Sequence, residues 1–115
     1  MLSLDNYSFG QVEVGNSRYK SDLIVFEDEV QSPWVREKGH LLTLDDVQWA
    51  LERSPDVIIV GTGSFGRLAI AQEVIDALSK REIELVASKT TSAVEAYNKR
   101  AKAGERVAAC LHLTC

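Results

Sequence analysis

The chain has 115 residues, of which 45% are hydrophobic, and this is enough for one packed domain without disulfides or metal ions. Its 17 acidic residues outnumber its 13 basic residues, and the net charge of −4 disfavours binding to nucleic acid or to anionic lipid. Apolar runs such as residues 57–60 are far shorter than the roughly 20 residues needed to cross a bilayer, and the start of the chain lacks the features of a signal peptide. We therefore expect a single domain over residues 1–115, in the cytoplasm and without membrane insertion.

The N-terminal part of the chain, up to about residue 42, is predicted to form short β-strands. The predicted segments are Gln11–Val14, a turn at Gly15 and Asn16, a strand that begins at Tyr19, Leu23–Phe26, and a piece around Trp34 and Val35. Leu23–Phe26 is apolar at every position, which is typical of a strand that is covered on both faces. Trp34 is expected in the core.

From Thr43 onward the pattern changes to alternating helices and strands. The predicted elements are a helix capped by Thr43 that ends before Pro55, a strand at Val57–Val60, a helix with Leu68, Ala71, Ile75 and Leu78 on one stripe, a strand at Ile83–Ala87, a helix that is capped by Ser92 and Glu95 and ended by Gly104, and a strand from Val107 to Leu113. This alternation predicts an α/β fold with a largely parallel sheet, to which the N-terminal strands are added.

Residues 61–66 read Gly-Thr-Gly-Ser-Phe-Gly and match the G-x-G-x-x-G pattern between a predicted strand and a predicted helix. Glycines let a phosphate approach the backbone, amides at a helix start point outward, and Arg67 adds positive charge. A dinucleotide site also needs a carboxylate at the tip of the next strand, where this chain has Ser-Lys-Thr-Thr at residues 88–91. We therefore expect a tight strand–helix turn and no cofactor.

The loops at residues 61–67 and 88–92 both follow strands that are predicted to be parallel, so they are expected at the same edge of the sheet. A polar crevice for a small molecule or an anion can form between them, although the same residue types are also common in ordinary turns and caps. The candidate ligand-binding residues are Gly61, Thr62, Gly63, Ser64, Arg67, Lys89 and Thr90.

Cys110, His112 and Cys115 are residue types that bind metals, but their spacing argues against a metal site. On an extended segment Cys110 and His112 point to one side and Cys115 points to the other. We therefore expect a buried strand cysteine, a solvated tail and no metal. No arrangement of serine, cysteine, histidine and acidic residues indicates a nucleophile, so no catalytic residue is assigned.

Trp49 falls on the polar side of its predicted helix, among Asp45, Asp46 and Arg53. Large aromatic residues on polar faces are enriched at protein interfaces, so Trp49 is a candidate protein-contact residue. The alternative is that the indole lies under the N-terminal strands.

Several short groups of residues occur in one order over nearly the whole chain. They are Tyr19, Asp22–Val25, Trp34 followed by Gly39 and His40, Val60–Gly63, Thr90 with Ala93, Tyr97 with Asn98, Val107–Ala109, and Thr114 with Cys115. In this order they resemble the adipogenesis-associated Mth-domain family, whose members include a mitochondrial respiratory complex I assembly factor. The resemblance implies a three-layer α/β fold, in which a mixed central sheet has helices packed around it and an extra N-terminal β layer. It brings no established catalytic residue or cofactor to this chain.

These observations predict a non-enzymatic accessory or assembly protein that acts through contacts with a protein partner. A relation to respiratory complex I assembly is implied by the resemblance alone. The alternative is a small-molecule or anion-binding protein, or an enzyme, that uses the crevice between the Gly61–Arg67 and Ser88–Ser92 loops. The sequence leaves homo-oligomerisation open.

Overall fold

The computed structural model describes all residues from Met1 to Cys115, and a five-stranded mixed β-sheet forms its centre. The strands are β1 Leu4–Ser8, β2 Gln11–Val14, β3 Ser17–Tyr19, β4 Leu23–Phe26, β5 Glu29–Gln31, β6 Leu41–Leu42, β7 Val57–Thr62, β8 Ala69–Ile70, β9 Glu84–Ser88 and β10 Val107–His112. The helices are α1 Gln48–Leu51, which continues a 3₁₀ turn at Leu44–Val47, α2 Gln72–Lys80 and α3 Thr90–Lys102. The central sheet has the order β5-β4-β10-β7-β9, with β10, β7 and β9 parallel and with β4 and β5 antiparallel to their neighbours.

The three central strands β4, β10 and β7 are buried at every position. Successive side chains of a strand point to opposite faces, so Val57 and Ile59 enter one core cluster while Ile58 and Val60 enter the other. Each fully buried aliphatic side chain of this kind contributes about 1.5–3 kcal/mol to stability. The prediction that these apolar strands are covered on both faces is confirmed.

One face of the central sheet is covered by α3 and by the antiparallel sheet β1-β2-β3. The Tyr97 hydroxyl of α3 donates a hydrogen bond to the Leu2 carbonyl at 2.8 Å, and the Asn98 side chain bonds to both main-chain groups of Leu4. The other face is covered by the 3₁₀ turn, α1, α2 and the two-stranded sheet β6-β8. The three-layer α/β fold with an extra N-terminal β layer is therefore confirmed. None of the helices combines the length and the apolar character that a membrane crossing requires.

The segment around Trp34 and Val35 is not the strand that its residues predict. The Trp34 amide donates to the carbonyl of Asp22 at 2.8 Å outside any strand pairing, and the indole is buried, as expected. The strand that precedes this segment, β5, already ends at Gln31. A short irregular loop can thus bury an aromatic side chain without continuing the sheet.

The helix predicted directly after the glycine-rich segment starts later than expected. Residues Ala69 and Ile70 form β8, which pairs with β6, and α2 begins only at Gln72. Its buried residues are Val74 and Leu78, whereas Ile75 is 40% exposed. Leu68 and Leu78 of the predicted stripe are buried and Ala71 packs against the core, but Ile75 is not part of it, because pairing with β6 keeps the first part of the segment extended and shifts the helix register.

The N-terminus of α3 also differs from the sequence expectation. The helix begins at Thr90 with Lys89 at the cap position, so the predicted capping box of Ser92 and Glu95 lies inside the helix. Its end was predicted correctly, since Gly104 follows with φ +87 and makes the left-handed turn that glycine favours.

Candidate functional site

The two loops predicted to form a crevice lie side by side at the carboxyl ends of β7 and β9. The Thr62 hydroxyl donates to the Ser88 carbonyl at 3.0 Å, and the Gly63 amide donates to the Thr90 hydroxyl at 2.9 Å. In return, the Thr90 amide donates to the Gly63 carbonyl at 3.2 Å. The contacts join the loops directly, so their facing polar groups bind each other.

The backbone donors of the glycine-rich loop are used by the segment that follows β10. The Ser64 amide donates to the Thr114 carbonyl at 2.6 Å, and the Arg67 amide donates to the Cys115 carbonyl at 3.1 Å. A Cβ atom on Gly63 would overlap the backbone of Cys115, so the close approach requires glycine there. In this arrangement the amides of Ser64 and Arg67 are occupied by protein carbonyls, the groups that an anion would replace.

The segment after β10 is packed and not solvated, which corrects the sequence expectation. Leu113 is 1% exposed, and its carbonyl accepts hydrogen bonds from the Gly10 amide and from the Tyr7 hydroxyl. The apolar side chain and the two donors fix the segment between the N-terminal β layer and the glycine-rich loop.

The glycine-rich loop does not lead directly into a helix, since α2 begins at Gln72 after the short strand β8, and the helix start beside the loop is that of α3 at Thr90. The remaining polar side chains at this edge of the sheet differ in whether they are free to contact a ligand. The hydroxyl of Ser64 bonds to that of Tyr7 at 2.6 Å, whereas Arg67 and Lys89 are exposed. The ion pairs of the protein involve neither of these two cations. Arg67 and Lys89 are therefore the candidate ligand residues with free charge.

A second polar cluster lies at the same edge of the sheet, where β4 begins and β10 ends. Asp22 Oδ2 forms a hydrogen bond with Nδ1 of His112 at 2.8 Å and an ion pair with Nη2 of Arg36 at 2.9 Å. Asp22 Oδ1 accepts from the Leu113 amide at 2.8 Å. Nε2 of His112 and Nε and Nη1 of Arg36 are buried without a protein partner. An aspartate that orients an imidazole is a feature of general bases. The contacts of Asp22 join the start of β4, the end of β10 and the loop that carries Arg36.

Little in the sequence indicates this cluster. Asp22 and His112 are separated by 90 residues, and Asp22 and Arg36 belong to no shared motif. The one available signal was the position of the two residues at strand ends. Asp22 directly precedes the apolar strand β4, and His112 is the last residue of β10. A contact between polar residues at the ends of two apolar strands can be predicted only when the pairing and register of those strands are known.

Trp49 lines an open groove of about 480 Å³ on the face of the protein that carries α1. We call this surface the tryptophan groove; its residues are Gln31, Trp34, Val35, Glu37, Asp45, Asp46, Gln48, Trp49 and Glu52. Trp49 is half-buried, and the guanidinium carbon of Arg53 lies 3.5 Å from the centre of its ring. The indole also packs against the core cluster that contains Phe26 and Trp34, so it is partly in the core and partly in the groove.

The tryptophan groove combines apolar side chains with an acidic rim. Val35 is 80% exposed, and it lies beside the indoles of Trp34 and Trp49. The lining includes four carboxylates and no lysine or arginine. One of these carboxylates, that of Asp46, is engaged in capping the 3₁₀ turn through Thr43. The other three belong to exposed residues, and one of them, Glu52, forms an ion pair with Arg53 at 3.9 Å; the rim keeps a net negative charge.

Cys110 is a buried strand cysteine, as predicted, and it lies within the core cluster that contains Trp34. Burial raises the pKa of its thiol to about 12, although the nearby Arg36 charge acts in the opposite direction. Cys115 is partly exposed and His112 is held by Asp22, so these three residues do not share one site.

The family model described as "Protein of unknown function (DUF498/DUF598)" matches residues 4–112 of the chain. The solved structure named MT938 is 28% identical, with a TM-score of 0.83 and coverage of 100% of both chains. XCC1710 of Xanthomonas campestris is 25% identical, with a TM-score of 0.84 and coverage of 98% of this chain and 85% of that chain. A Bordetella pertussis protein described as a Mth938-like domain is 20% identical and shares the fold, with a TM-score of 0.70 and coverage of 97% of this chain and 85% of that chain. The chain therefore belongs to the DUF498/DUF598 family of Mth938-type α/β proteins.

Proposed function

We propose that this protein is a non-enzymatic accessory protein that binds a protein partner through the tryptophan groove. The observation that carries the proposal is the groove itself, a concave surface in which an indole and an exposed aliphatic side chain lie inside an acidic rim. Aromatic anchors surrounded by a polar rim are the usual arrangement of a protein-binding surface.

The partner segment is expected to be basic at its ends and apolar at its centre. Val35 and the free part of the Trp49 ring offer apolar contact area, which a leucine or an aromatic side chain would cover. Glu37, Asp45 and Glu52 on the rim would attract lysine or arginine and would repel acidic segments. The charges set the choice of partner and the rate of association, while the apolar centre supplies most of the affinity.

The assembly role is a narrower form of the same proposal. A task in respiratory complex I assembly rests only on the resemblance to a family with such a member, and the cytoplasm remains our proposed location. Both are consistent with an accessory protein that holds one segment of a larger partner.

The proposal is tested with three synthetic peptides of equal length, composed of arginine and leucine, arginine and serine, or glutamate and leucine. Titration calorimetry should give the tightest binding for the arginine–leucine peptide. Trp49→Ala, or the exposed pair Asp45→Lys and Glu52→Lys, should weaken that binding at least about tenfold. Ile75→Ala on α2 is the control and should leave it unchanged. Equal binding of the basic and acidic leucine peptides, or binding that neither groove variant alters, would contradict the proposal.

A second candidate function is anion or small-molecule binding at the Gly61–Arg67 and Ser88–Ser92 loops. The observation that favours it is the pair of exposed cations Arg67 and Lys89, which have no carboxylate partner. A ligand here must contact these side chains or displace the carbonyls of Thr114 and Cys115. Nucleotides, phosphate and sulfate at 100 times their Kd should add about 2.7 kcal/mol of stability, visible as a higher Tm. A flat response, or a shift retained by the Arg67→Ala/Lys89→Ala variant, would count against this site.

A further inference from the structure

The glycine-rich loop carries an exposed aromatic ring beside an exposed cation. Phe65 is 63% exposed, and its ring centre lies 6.2 Å from that of Phe9, which is 57% exposed. The guanidinium carbon of Arg67 lies 6.0 Å from the centre of the Phe65 ring. We call Phe9, Phe65 and Arg67 the aromatic knob. Two exposed phenylalanines in contact are costly to keep in water, which marks them as a contact surface.

The aromatic knob is held in place by hydrogen bonds of its backbone. The Ser64 and Arg67 amides donate to the carbonyls that follow β10, and the Gly66 amide donates to the Gly63 carbonyl at 3.2 Å. The hydroxyl of Tyr7 on β1 bonds to that of Ser64. A surface fixed in this way loses little conformational entropy when it docks, so a small contact area is enough for measurable association.

The aromatic knob has the chemistry that the tryptophan groove is expected to bind. It presents an aromatic side chain and, two residues later, a cation without an ion pair, whereas the groove presents indoles and Val35 inside an acidic rim. From this complementarity of charge and apolar character, we infer that the aromatic knob of one copy of the chain docks in the tryptophan groove of a second copy. This inference rests on the proposed function, because it gives the same groove an occupant from the chain itself.

The knob and the groove are different surfaces, so the contact is head-to-tail and leaves one free groove and one free knob at the ends of each assembly. The knob consists of three side chains, so we expect its contact area to be below the roughly 1,200 Å² of a stable interface and the association to be weak and reversible. Its consequence is regulatory: at high concentration the self-contact competes with the partner for the groove. Added salt should weaken the contact, because its charges are exposed.

Two variants separate the knob from the groove. The knob variant is Phe65→Ser/Arg67→Ser, and the groove variant is Asp45→Lys/Glu52→Lys; all four side chains are exposed. In sedimentation velocity over a concentration series, wild-type protein should form dimers and longer species, and each variant alone should remain monomeric. An equimolar mixture of the two variants should form a dimer and nothing larger, since it contains one intact knob and one intact groove.

The matched control is Ile75→Ser/Lys80→Ser on α2, which removes one exposed apolar side chain and one cation elsewhere and should associate like the wild type. Circular dichroism verifies that every variant is folded. A wild type that stays monomeric up to millimolar concentration would overturn the inference, as would a mixture that fails to dimerise. The arginine–leucine peptide keeps the two proposals distinct: if it still binds the groove of a monomeric wild type, only the self-contact is wrong.

Discussion

Nδ1 of His112 lies 2.8 Å from Oδ2 of Asp22, although the two residues are 90 positions apart in the chain. The same Nδ1 lies 3.1 Å from Nη2 of Arg36, so Asp22 and Arg36 together determine the orientation of the imidazole. The same carboxylate binds Arg36, whose guanidinium lies over the Trp34 ring at 4.7 Å. One partly buried acid therefore links the end of β10 to a wall of the tryptophan groove.

Replacing Asp22 with asparagine should lower the free energy of unfolding by about 3 kcal/mol, because it leaves the Arg36 charge buried without its partner. Urea denaturation followed by circular dichroism measures the change. Asp56→Asn, at an exposed acid, is the control and should change stability by less than about 0.5 kcal/mol. A comparable loss in the two variants would refute the role of Asp22.

Thr90→Val should destabilise the protein by about 3 kcal/mol, because two buried backbone groups lose their partner. The Thr90 hydroxyl donates to the His112 carbonyl at 2.6 Å and accepts from the Gly63 amide, and the side chain is fully buried. Thr90→Ser keeps the hydroxyl and should recover most of the loss. The neighbouring exposed substitution Thr91→Val provides the baseline in the same denaturation experiment. Equal stability of the serine and valine variants would show that the hydroxyl contributes nothing.

Gly63→Ala should cost at least about 2 kcal/mol, since a left-handed backbone conformation and a steric overlap act at the same position. Gly63 has φ +102, and an added Cβ would overlap Cys115. Gly39→Ala is the matched control, because no atom lies within 4 Å of the Cβ it would add. The difference in Tm between the two variants checks the prediction. Similar melting temperatures would mean that the segment after β10 moves away freely.

The free energy of unfolding should fall at high pH because the thiol of Cys110 is buried. Burial raises its pKa from 9.0 to about 12, so above pH 9 the unfolded chain loses a proton that the native protein keeps. The stability that this group provides is complete below pH 9 and is lost as the pH rises toward 12, with a slope of about 1.4 kcal/mol per pH unit.

Cys110→Ala removes that titration and should make the fall in unfolding free energy less steep by this amount. Urea denaturation of both proteins between pH 8.5 and 11.5, in a reducing buffer, measures the two slopes. The cavity left by the substitution lowers the stability at every pH and so changes the offset and not the slope. Tyr97, whose pKa burial also raises to about 12, contributes equally to both proteins. Parallel pH curves would be inconsistent with a shifted thiol.

Local pattern was sufficient to predict most of the sheet. The runs of apolar residues at β4, β7 and β10 are typical of strands covered on both faces, and each was found at the predicted place. The turn at Gly15 and Asn16 and the helix end at Gly104 were also predicted correctly. These features depend on side-chain chemistry within a few residues, and the layered α/β arrangement follows because such strands need cover on both sides.

Tertiary packing alone determined the start of α2, the half-buried position of Trp49 and the contact between Asp22 and His112. β8 stays extended because it pairs with β6, a partner nearly thirty residues earlier in the chain. The amides of the glycine-rich loop are occupied because the segment after β10 returns to them from about fifty residues away. No local periodicity encodes such pairings, since they depend on strand register and on which surfaces remain uncovered once the central sheet has formed.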